Sequence, residues 1–115
     1  MKKTKMLKKN YEFRKVLSKG KYYSGEYIEA LILSNDKKEN YLGIAISTKV
    51  GKAVRRNKIK RLIRESYYRY EERITDGQAI VILWKKKKSI ENATFSNIEK
   101  DIRKIFDKAK IFIEE

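Results

Sequence analysis

The segment from residue 49 to residue 64, KVGKAVRRNKIKRLIR, constrains the fold more than any other part of the chain. It holds eight basic residues and no acidic one. An apolar stripe of helical period runs through its second half and continues beyond it, formed by Ile59, Leu62, Ile63, Ser66 and Tyr70. The pattern predicts a helix over about residues 53–73 that packs its apolar side on a sheet and presents a cationic side to solvent.

The cationic side is too uniform to be an ordinary solvated face. Arg56, Lys60 and Arg64 recur at four-residue spacing and are flanked by Asn57 and Arg61. Like charges at this spacing repel each other, at a cost of roughly a few tenths of a kcal/mol per pair. A surface that serves only solubility mixes signs to gain ion pairs. The helix therefore favours a polyanionic partner, and its chemistry alone leaves DNA and RNA open.

Length and composition agree with this interpretation. The 115 residues are enough for one domain, 1–115, with a modest core. Thirty Lys and Arg against fifteen Asp and Glu give a net charge of +15, and such self-repulsion favours a role in binding phosphate-rich partners. There is no Cys and no run of about 18 apolar residues. We therefore expect a cytoplasmic protein with no membrane partner.

The remaining periodicities predict an α+β fold. A helix is predicted over 10–19, with Asn10 as N-cap and Gly20 at its C-terminal end. Strands are predicted at 22–23, 27–33, 41–47 and 78–84. The order is αβββαβα, a sandwich of helices packed on a single mixed four-stranded sheet.

Both ends of the chain carry further predictions. Residues 1–9 are basic and weakly patterned, which indicates a flexible arm. The last helix is predicted to begin at Thr94 or Ser96, with Glu99 completing a capping box on Ser96. Its core stripe is Ile98, Ile102, Ile105, Phe106, Ala109 and Ile113.

Composition disfavours catalysis by the protein itself. The chain has no His, the commonest general base, and no Cys for a thiolate metal site. Its acids, among them Glu65, Glu71, Glu72 and Glu91, show no spacing that indicates a metal pair. We predict no catalytic and no metal-binding residue, which disfavours a stand-alone nuclease. A DNA-binding or ribosomal protein that works without a catalytic partner remains the alternative.

Residues 47–64 resemble the signature of the bacterial ribonuclease P protein subunit, an Arg-Asn-Arg core followed by an apolar residue, Lys-Arg, two apolar residues and Arg. The matching residues are Arg56, Asn57, Ile59, Lys60, Arg61, Leu62, Ile63 and Arg64, whereas Lys58 stands in place of the second Arg. Lys58 keeps the charge but not the planar fork of arginine. The resemblance extends over nearly the whole chain, through Leu7–Asn10, Phe13, Val16, Gly20, Leu42–Ile44 and Ile80–Ile82.

The resemblance implies a function and a set of partners. The protein would be a subunit of ribonuclease P, which removes the 5′ leader of precursor tRNA. The RNA subunit would be the catalyst and would require Mg²⁺, while the protein would bind no cofactor and no DNA. Its partners would be ribonuclease P RNA and precursor tRNA.

The resemblance also implies two groups of site residues. Those expected to contact the catalytic RNA are Lys49, Lys52, Arg55, Arg56, Asn57, Lys58, Lys60, Arg61 and Arg64. Those expected in a cleft for the 5′ leader, between the first helix and the sheet, are Phe13, Leu17, Tyr27 and Leu31. Periodicity alone offers a second interpretation of Phe13 and Leu17, as core residues that hold the helix down. It also predicts a solvated charge run at Lys85–Lys88 and a core or rim position for Trp84.

Overall fold

A central strand with both faces buried organises the computed structural model, which describes residues 4–35 and 37–113. The elements, in chain order, are β1 (Thr4–Met6), α1 (Asn10–Lys19), β2 (Lys21–Ser24), β3 (Ile28–Ser34), β4 (Asn40–Ala45), α2 (Ala53–Tyr70), β5 (Gln78–Trp84) and α3 (Phe95–Ala109). Short 3₁₀ turns lie at Thr48–Val50, Glu71–Arg73 and Ile90–Asn92.

Strand β5 lies in the middle of one mixed sheet of order β1-β4-β5-β3-β2. It pairs parallel to β4 and antiparallel to β3. From Ala79 to Trp84 its sequence is a continuous apolar run, because side chains on both of its faces are covered. Ile80, Ile82 and Trp84 belong to the larger core cluster, whereas Ala79, Val81 and Leu83 belong to a smaller cluster on the opposite face.

Helices α2 and α3 form the layer on the larger-core side. The apolar stripe predicted for α2 is confirmed, because all five of its members are buried: Ile59, Leu62, Ile63, Ser66 and Tyr70. In α3, Ile98, Ile102 and Phe106 are fully buried against them. This face of the sheet carries most of the hydrophobic burial and holds α2 in a fixed orientation.

Helix α1 covers only part of the opposite face. Val16 is buried there, and Phe13 packs against Gly43 of β4. A Cβ at Gly43 would lie 2.6 Å from Phe13 Cε1, so glycine is what allows this close approach. A ten-residue helix is about 15 Å long, and it leaves the end of the sheet near Ala45 and Leu83 uncovered.

The predicted α+β class is confirmed, but the sheet has five strands rather than four. The additional strand is β1, which pairs with β4 in parallel. The prediction of a flexible arm is therefore wrong for residues 4–9, and Met1–Lys3 lie outside the described residues. Thr4 N donates to the Glu71 carboxylate at 2.9 Å, and Leu7 N donates to Leu42 O at 2.8 Å. These contacts and the burial of Leu7 fix the segment in place.

The predicted span of the first helix, 10–19, is confirmed, but its predicted N-cap is off by one residue. Lys9, not Asn10, is the N-cap of α1, and the Glu12 carboxylate accepts from Lys9 N at 2.9 Å. The backbone N–H groups of Lys9 and Lys8 hold the pKa of Glu12 below its usual value.

The last helix begins at one of the two predicted positions but ends early. Thr94 is the N-cap, whereas the capping box of Ser96 with Glu99 is wrong, because Glu99 accepts from the Tyr70 hydroxyl. The helix ends where Lys110 adopts φ 56°. Ile113 therefore lies beyond α3 and is 46% exposed, so its predicted core position is also wrong.

Asp101 of α3 ties the β2–β3 turn to the helix layer. Its carboxylate accepts from the backbone N–H groups of Glu26, Tyr27 and Ile28 at 3.1, 2.7 and 3.1 Å. The side chain of Asp101 is buried, and a Cβ at Gly25 would lie 2.7 Å from its Cγ. Three charge-assisted hydrogen bonds compensate the burial of this carboxylate.

We expect Asp101→Asn to lower the free energy of unfolding by about 2–3 kcal/mol, because the amide places a donor against N–H donors. Urea denaturation measures the change, with the exposed Asp107→Asn on the same helix as the matched control. Equal stability of the two variants would contradict the role assigned to Asp101.

Candidate nucleic-acid interface

The exposed side of α2 carries a cationic surface, which we call the α2 ridge: Asn57, Lys58, Arg61 and Arg64, with Lys60 and Arg56 on its flank. The first four are exposed, whereas Arg56 and Lys60 are half-buried. The sequence placed Arg56, Lys60 and Arg64 at the centre of this side, which is correct only for Arg64. The centre is rotated because Tyr67 is also buried and widens the core side of α2 toward Arg56 and Lys60.

Arg56 has a structural contact of its own. Its Nη1 donates to Gly51 O at 2.7 Å, which joins the first turns of α2 to the preceding loop. Within that loop, Ser47 Oγ accepts from Lys49 N at 3.2 Å and Ser47 O accepts from Val50 N at 3.0 Å. The 3₁₀ turn formed in this way is compact. It positions the exposed Lys49, Lys52 and Arg55 beside the N-terminal end of α2.

Acidic side chains neutralise little of the positive charge of the α2 ridge. Arg61 Nε lies 3.7 Å from Glu65 Oε1, and both side chains are more than half exposed. An exposed pair at this distance contributes little. The first turn of α2 holds no acidic residue, so the positive end of the helix dipole adds to the lysines of the loop.

A groove of about 740 Å³ lies on the part of the sheet that α1 leaves open. Its lining residues are Leu17, Tyr22, Glu29, Ala45, Ile46, Ser47, Leu83, Trp84, Lys85, Lys86 and Lys87. Most of the floor is apolar, Tyr22 is 53% exposed at one side, and three consecutive lysines form the rim. We call it the leader-side groove because it adjoins α1 on the face predicted for the leader cleft.

The structure brings together only part of the predicted cleft. Leu17 lines the groove and is 39% exposed. Phe13 and Leu31 lie under α1 in the smaller cluster, as the core interpretation of Phe13 requires. For Leu17 that interpretation is wrong, since its side chain is exposed, lines the groove and belongs to neither core cluster.

Tyr27 does not share this surface, so its predicted position is wrong. Its ring stacks on Trp84 with centroids 5.9 Å apart and an interplanar angle of 11°, and it packs with the larger core. The hydrogen bond of Tyr27 N to Asp101 turns the backbone toward α3 at this point. Trp84 is 2% exposed, which confirms its core position.

Sequence reasoning missed several groove residues. Leu83 could have been found from strand alternation, because it shares a face with Ala79 and Val81. Tyr22 could have been found only from register, since it pairs with Leu31 across β2 and β3. Lys85–Lys88 is more than a solvated run, because it forms a turn. Lys88 N donates to Lys85 O, and Lys88 O accepts from Trp84 Nε1. The turn places Lys85, Lys86 and Lys87 along the groove.

Tyr22 and Glu29 form the polar contact inside the groove. The Tyr22 hydroxyl donates to Glu29 Oε2, and this hydrogen bond raises the pKa of Tyr22 above its ordinary value. The two residues are diagonal neighbours, because Tyr22 is opposite Leu31 and Glu29 is two residues before Leu31. The hydroxyl therefore stays a donor at neutral pH and holds the carboxylate in place.

The described residues hold neither a cluster of metal ligands nor a helix that could span a membrane. No group of three or more His, Cys, Asp or Glu residues among them is placed to hold a metal ion. None of the helices they form is long and apolar enough to cross a membrane.

Comparison with known proteins identifies the family. Residues 1–110 match the family model described as Ribonuclease P. The chain is 40% identical to the ribonuclease P protein component of Clostridioides difficile over 96% of each chain. It is 42% identical to that of Fusobacterium nucleatum over 91% of this chain and 96% of the relative.

Solved structures agree with the sequence relatives. The ribonuclease P protein of Staphylococcus aureus superposes with a TM-score of 0.81 at 29% identity, covering 93% of this chain and 96% of that one. The protein of Thermotoga maritima superposes with a TM-score of 0.80 at 30% identity, covering 96% and 99%. These matches confirm the resemblance drawn from residues 47–64. The chain belongs to the ribonuclease P protein component family, the protein subunit of the endoribonuclease that matures tRNA 5′ ends.

Proposed function

We propose that this subunit holds ribonuclease P RNA on the α2 ridge and the 5′ leader of precursor tRNA in the leader-side groove. The observation that carries the proposal is the continuity of the two surfaces. Ser47 lines the groove, and Lys49 and Lys52 follow it directly in the loop that enters α2. One short segment therefore connects an apolar groove to a cationic helix.

The α2 ridge suits a folded RNA. The guanidinium group of arginine can donate two parallel hydrogen bonds to phosphate oxygens, and the side-chain amide of Asn57 can form hydrogen bonds with a base edge or a ribose hydroxyl. Because the layer of α2 and α3 is fully packed, the ridge presents these groups on a rigid support. The residues proposed to contact the RNA are Lys49, Lys52, Arg55, Arg56, Asn57, Lys58, Lys60, Arg61 and Arg64.

The leader-side groove suits a single strand. Unpaired bases stack on aromatic and apolar surfaces while their phosphates meet basic side chains. Leu17, Ile46 and Tyr22 offer such surfaces, and Lys86 and Lys87 stand exposed at the rim. Phe13 and Leu31 support the groove from beneath α1, whereas Tyr27 is assigned to the core.

We place the chemistry of cleavage on Mg²⁺ bound by the RNA subunit. The chain has no His and no Cys, and its net charge of +15 opposes binding of a divalent cation. The protein would instead screen phosphate repulsion between the RNA and its substrate, in the cytoplasm, and so raise substrate affinity.

Reconstitution tests the proposed function. The protein is mixed with a bacterial ribonuclease P RNA and precursor tRNA at a Mg²⁺ concentration too low for the RNA alone. We expect cleavage at the 5′ end of the mature tRNA only when both subunits are present. Cleavage by the purified protein without RNA would contradict the division of roles.

The triple variant Lys58→Ala, Arg61→Ala, Arg64→Ala should weaken binding of ribonuclease P RNA and flatten its salt dependence. Losing three phosphate contacts reduces the slope of log K against log salt by about 2–3. Filter binding over a salt series measures the slope.

The matched control for this variant removes three lysines from the exposed side of α3, Lys100, Lys104 and Lys108. It loses the same formal charge and should keep a slope near that of the wild type. If both triple variants reduced the slope of log K against log salt equally, RNA binding would depend only on net charge and not on the α2 ridge.

Leu17→Ala should lower affinity for leader-bearing precursor tRNA and leave affinity for mature tRNA unchanged, because Leu17 is an exposed groove residue. Phe13→Ala should instead lower the free energy of unfolding by about 2–3 kcal/mol, since it removes the ring that packs against Gly43 and leaves a cavity. Binding of both tRNA forms to the reconstituted holoenzyme, with urea denaturation of the protein, separates the two effects. A Leu17→Ala holoenzyme that retains its full preference for the leader would exclude Leu17 from the site.

A further inference from the structure

A carboxylate is out of place in a groove for a polyanion. Glu29 lies between the apolar floor and Tyr22, where it would repel the phosphates of a bound strand. Within the described part of the chain, it forms no salt bridge with a Lys or Arg, although Lys85–Lys87 line the same groove. Its partner is the Tyr22 hydroxyl, which donates to Oε2. The carboxylate is therefore half-buried without a cationic partner, and the hydrogen bond from Tyr22 holds it in a fixed position.

The position of the pair matches the geometry of base recognition. Tyr22 is half exposed and presents an aromatic face on which a base can stack. Glu29 and Leu83 are cross-strand partners on the groove side of β3 and β5, so the carboxylate rises from the floor beside that stacking surface. A base stacked on Tyr22 would turn one edge toward Glu29 Oε1, the oxygen that the hydroxyl leaves free.

A carboxylate accepts hydrogen bonds and cannot donate them at neutral pH. It therefore favours a base edge with an exocyclic amino group, such as cytosine N4, and disfavours the carbonyl that uracil presents at the same place. We propose that Tyr22 and Glu29 form a base-selective subsite in the leader-side groove, which prefers an amino-bearing base over uracil in the 5′ leader. This inference rests on the proposed function of the groove.

Two precursor tRNAs that differ only in having cytosine or uracil throughout the leader test the subsite. The two bases have similar stacking surfaces, so the comparison isolates the amino group from the carbonyl. The affinity ratio of the cytosine leader to the uracil leader is measured with the reconstituted holoenzyme. It is divided by the same ratio measured for the RNA subunit alone at high Mg²⁺, which removes any preference of the RNA itself. We expect the wild type to prefer the cytosine leader by about tenfold or more, the order expected for one hydrogen bond to a charged acceptor.

Matched variants separate the two side chains. Glu29→Gln keeps the shape and can donate to uracil as well as accept from cytosine, so the ratio should fall to about one. Tyr22→Phe keeps the stacking face but removes the hydroxyl that holds the Glu29 carboxylate, so the ratio should fall. Tyr22→Leu should lower affinity for both leaders. Retention of the full cytosine preference by Glu29→Gln would overturn the proposal.

The same data distinguish failure of the subsite from failure of the groove. If both leaders bind more tightly than mature tRNA but equally well, the groove holds the leader and the base-selective subsite is refuted. If neither leader adds affinity over mature tRNA, the proposed function of the groove is refuted, and the subsite with it.

Discussion

Burial of β5 on both faces is the constraint on which the rest of the structure depends. All seven of its residues pair with β3, the five from Ala79 to Leu83 also pair with β4, and the side chains from Ala79 to Trp84 alternate between two core clusters. Ile80, Ile82 and Trp84 pack on the side of α2 and α3, and Ala79 and Val81 pack on the side of α1. Each functional surface is therefore built on one face of the same strand.

The two faces are covered unequally, and the difference creates the site. Two long helices pack one face completely, which leaves the outer side of α2 free to carry charge without a stability cost from lost burial. One short helix packs the other face and stops before Leu83 and Ala45. The uncovered apolar end of the sheet becomes a groove, and the turn after Trp84 places three lysines at its edge. The segment from Ser47 to Lys52 joins this groove to the cationic helix.

The sequence predicted what depends on periodicity and missed what depends on three-dimensional neighbours. The stripe of α2, the buried run of β5 and the helix starting near Asn10 each follow from local spacing, and each was confirmed to within a few residues. The strand Thr4–Met6 was missed because three residues give no period, and its partner β4 lies 36 positions further along the chain. Tyr27 was misplaced because a buried acid on α3, 74 residues away, determines where its backbone turns.

In the candidate site, too, local spacing predicted some features, whereas others depend on three-dimensional neighbours. The basic residues of α2 could be predicted by type and spacing, but the centre of the exposed side could not, because it depends on how deeply Tyr67 packs. Tyr22 and Glu29 carry no local signal at all. Their contact requires the antiparallel register of β2 and β3, which puts Glu29 diagonal to Tyr22 on the open face.

The central claim is that two distinct surfaces of one rigid domain meet two different RNAs. Because the chain has no cysteine, single cysteines at Ser47, Asn57 and Lys104 can each carry a photo-crosslinker in the holoenzyme bound to precursor tRNA. Ser47→Cys should crosslink the 5′ leader, Asn57→Cys should crosslink ribonuclease P RNA, and Lys104→Cys on α3 should crosslink neither efficiently. Crosslinking of the leader from position 57, or equal crosslinking from all three positions, would contradict the assignment of the two surfaces.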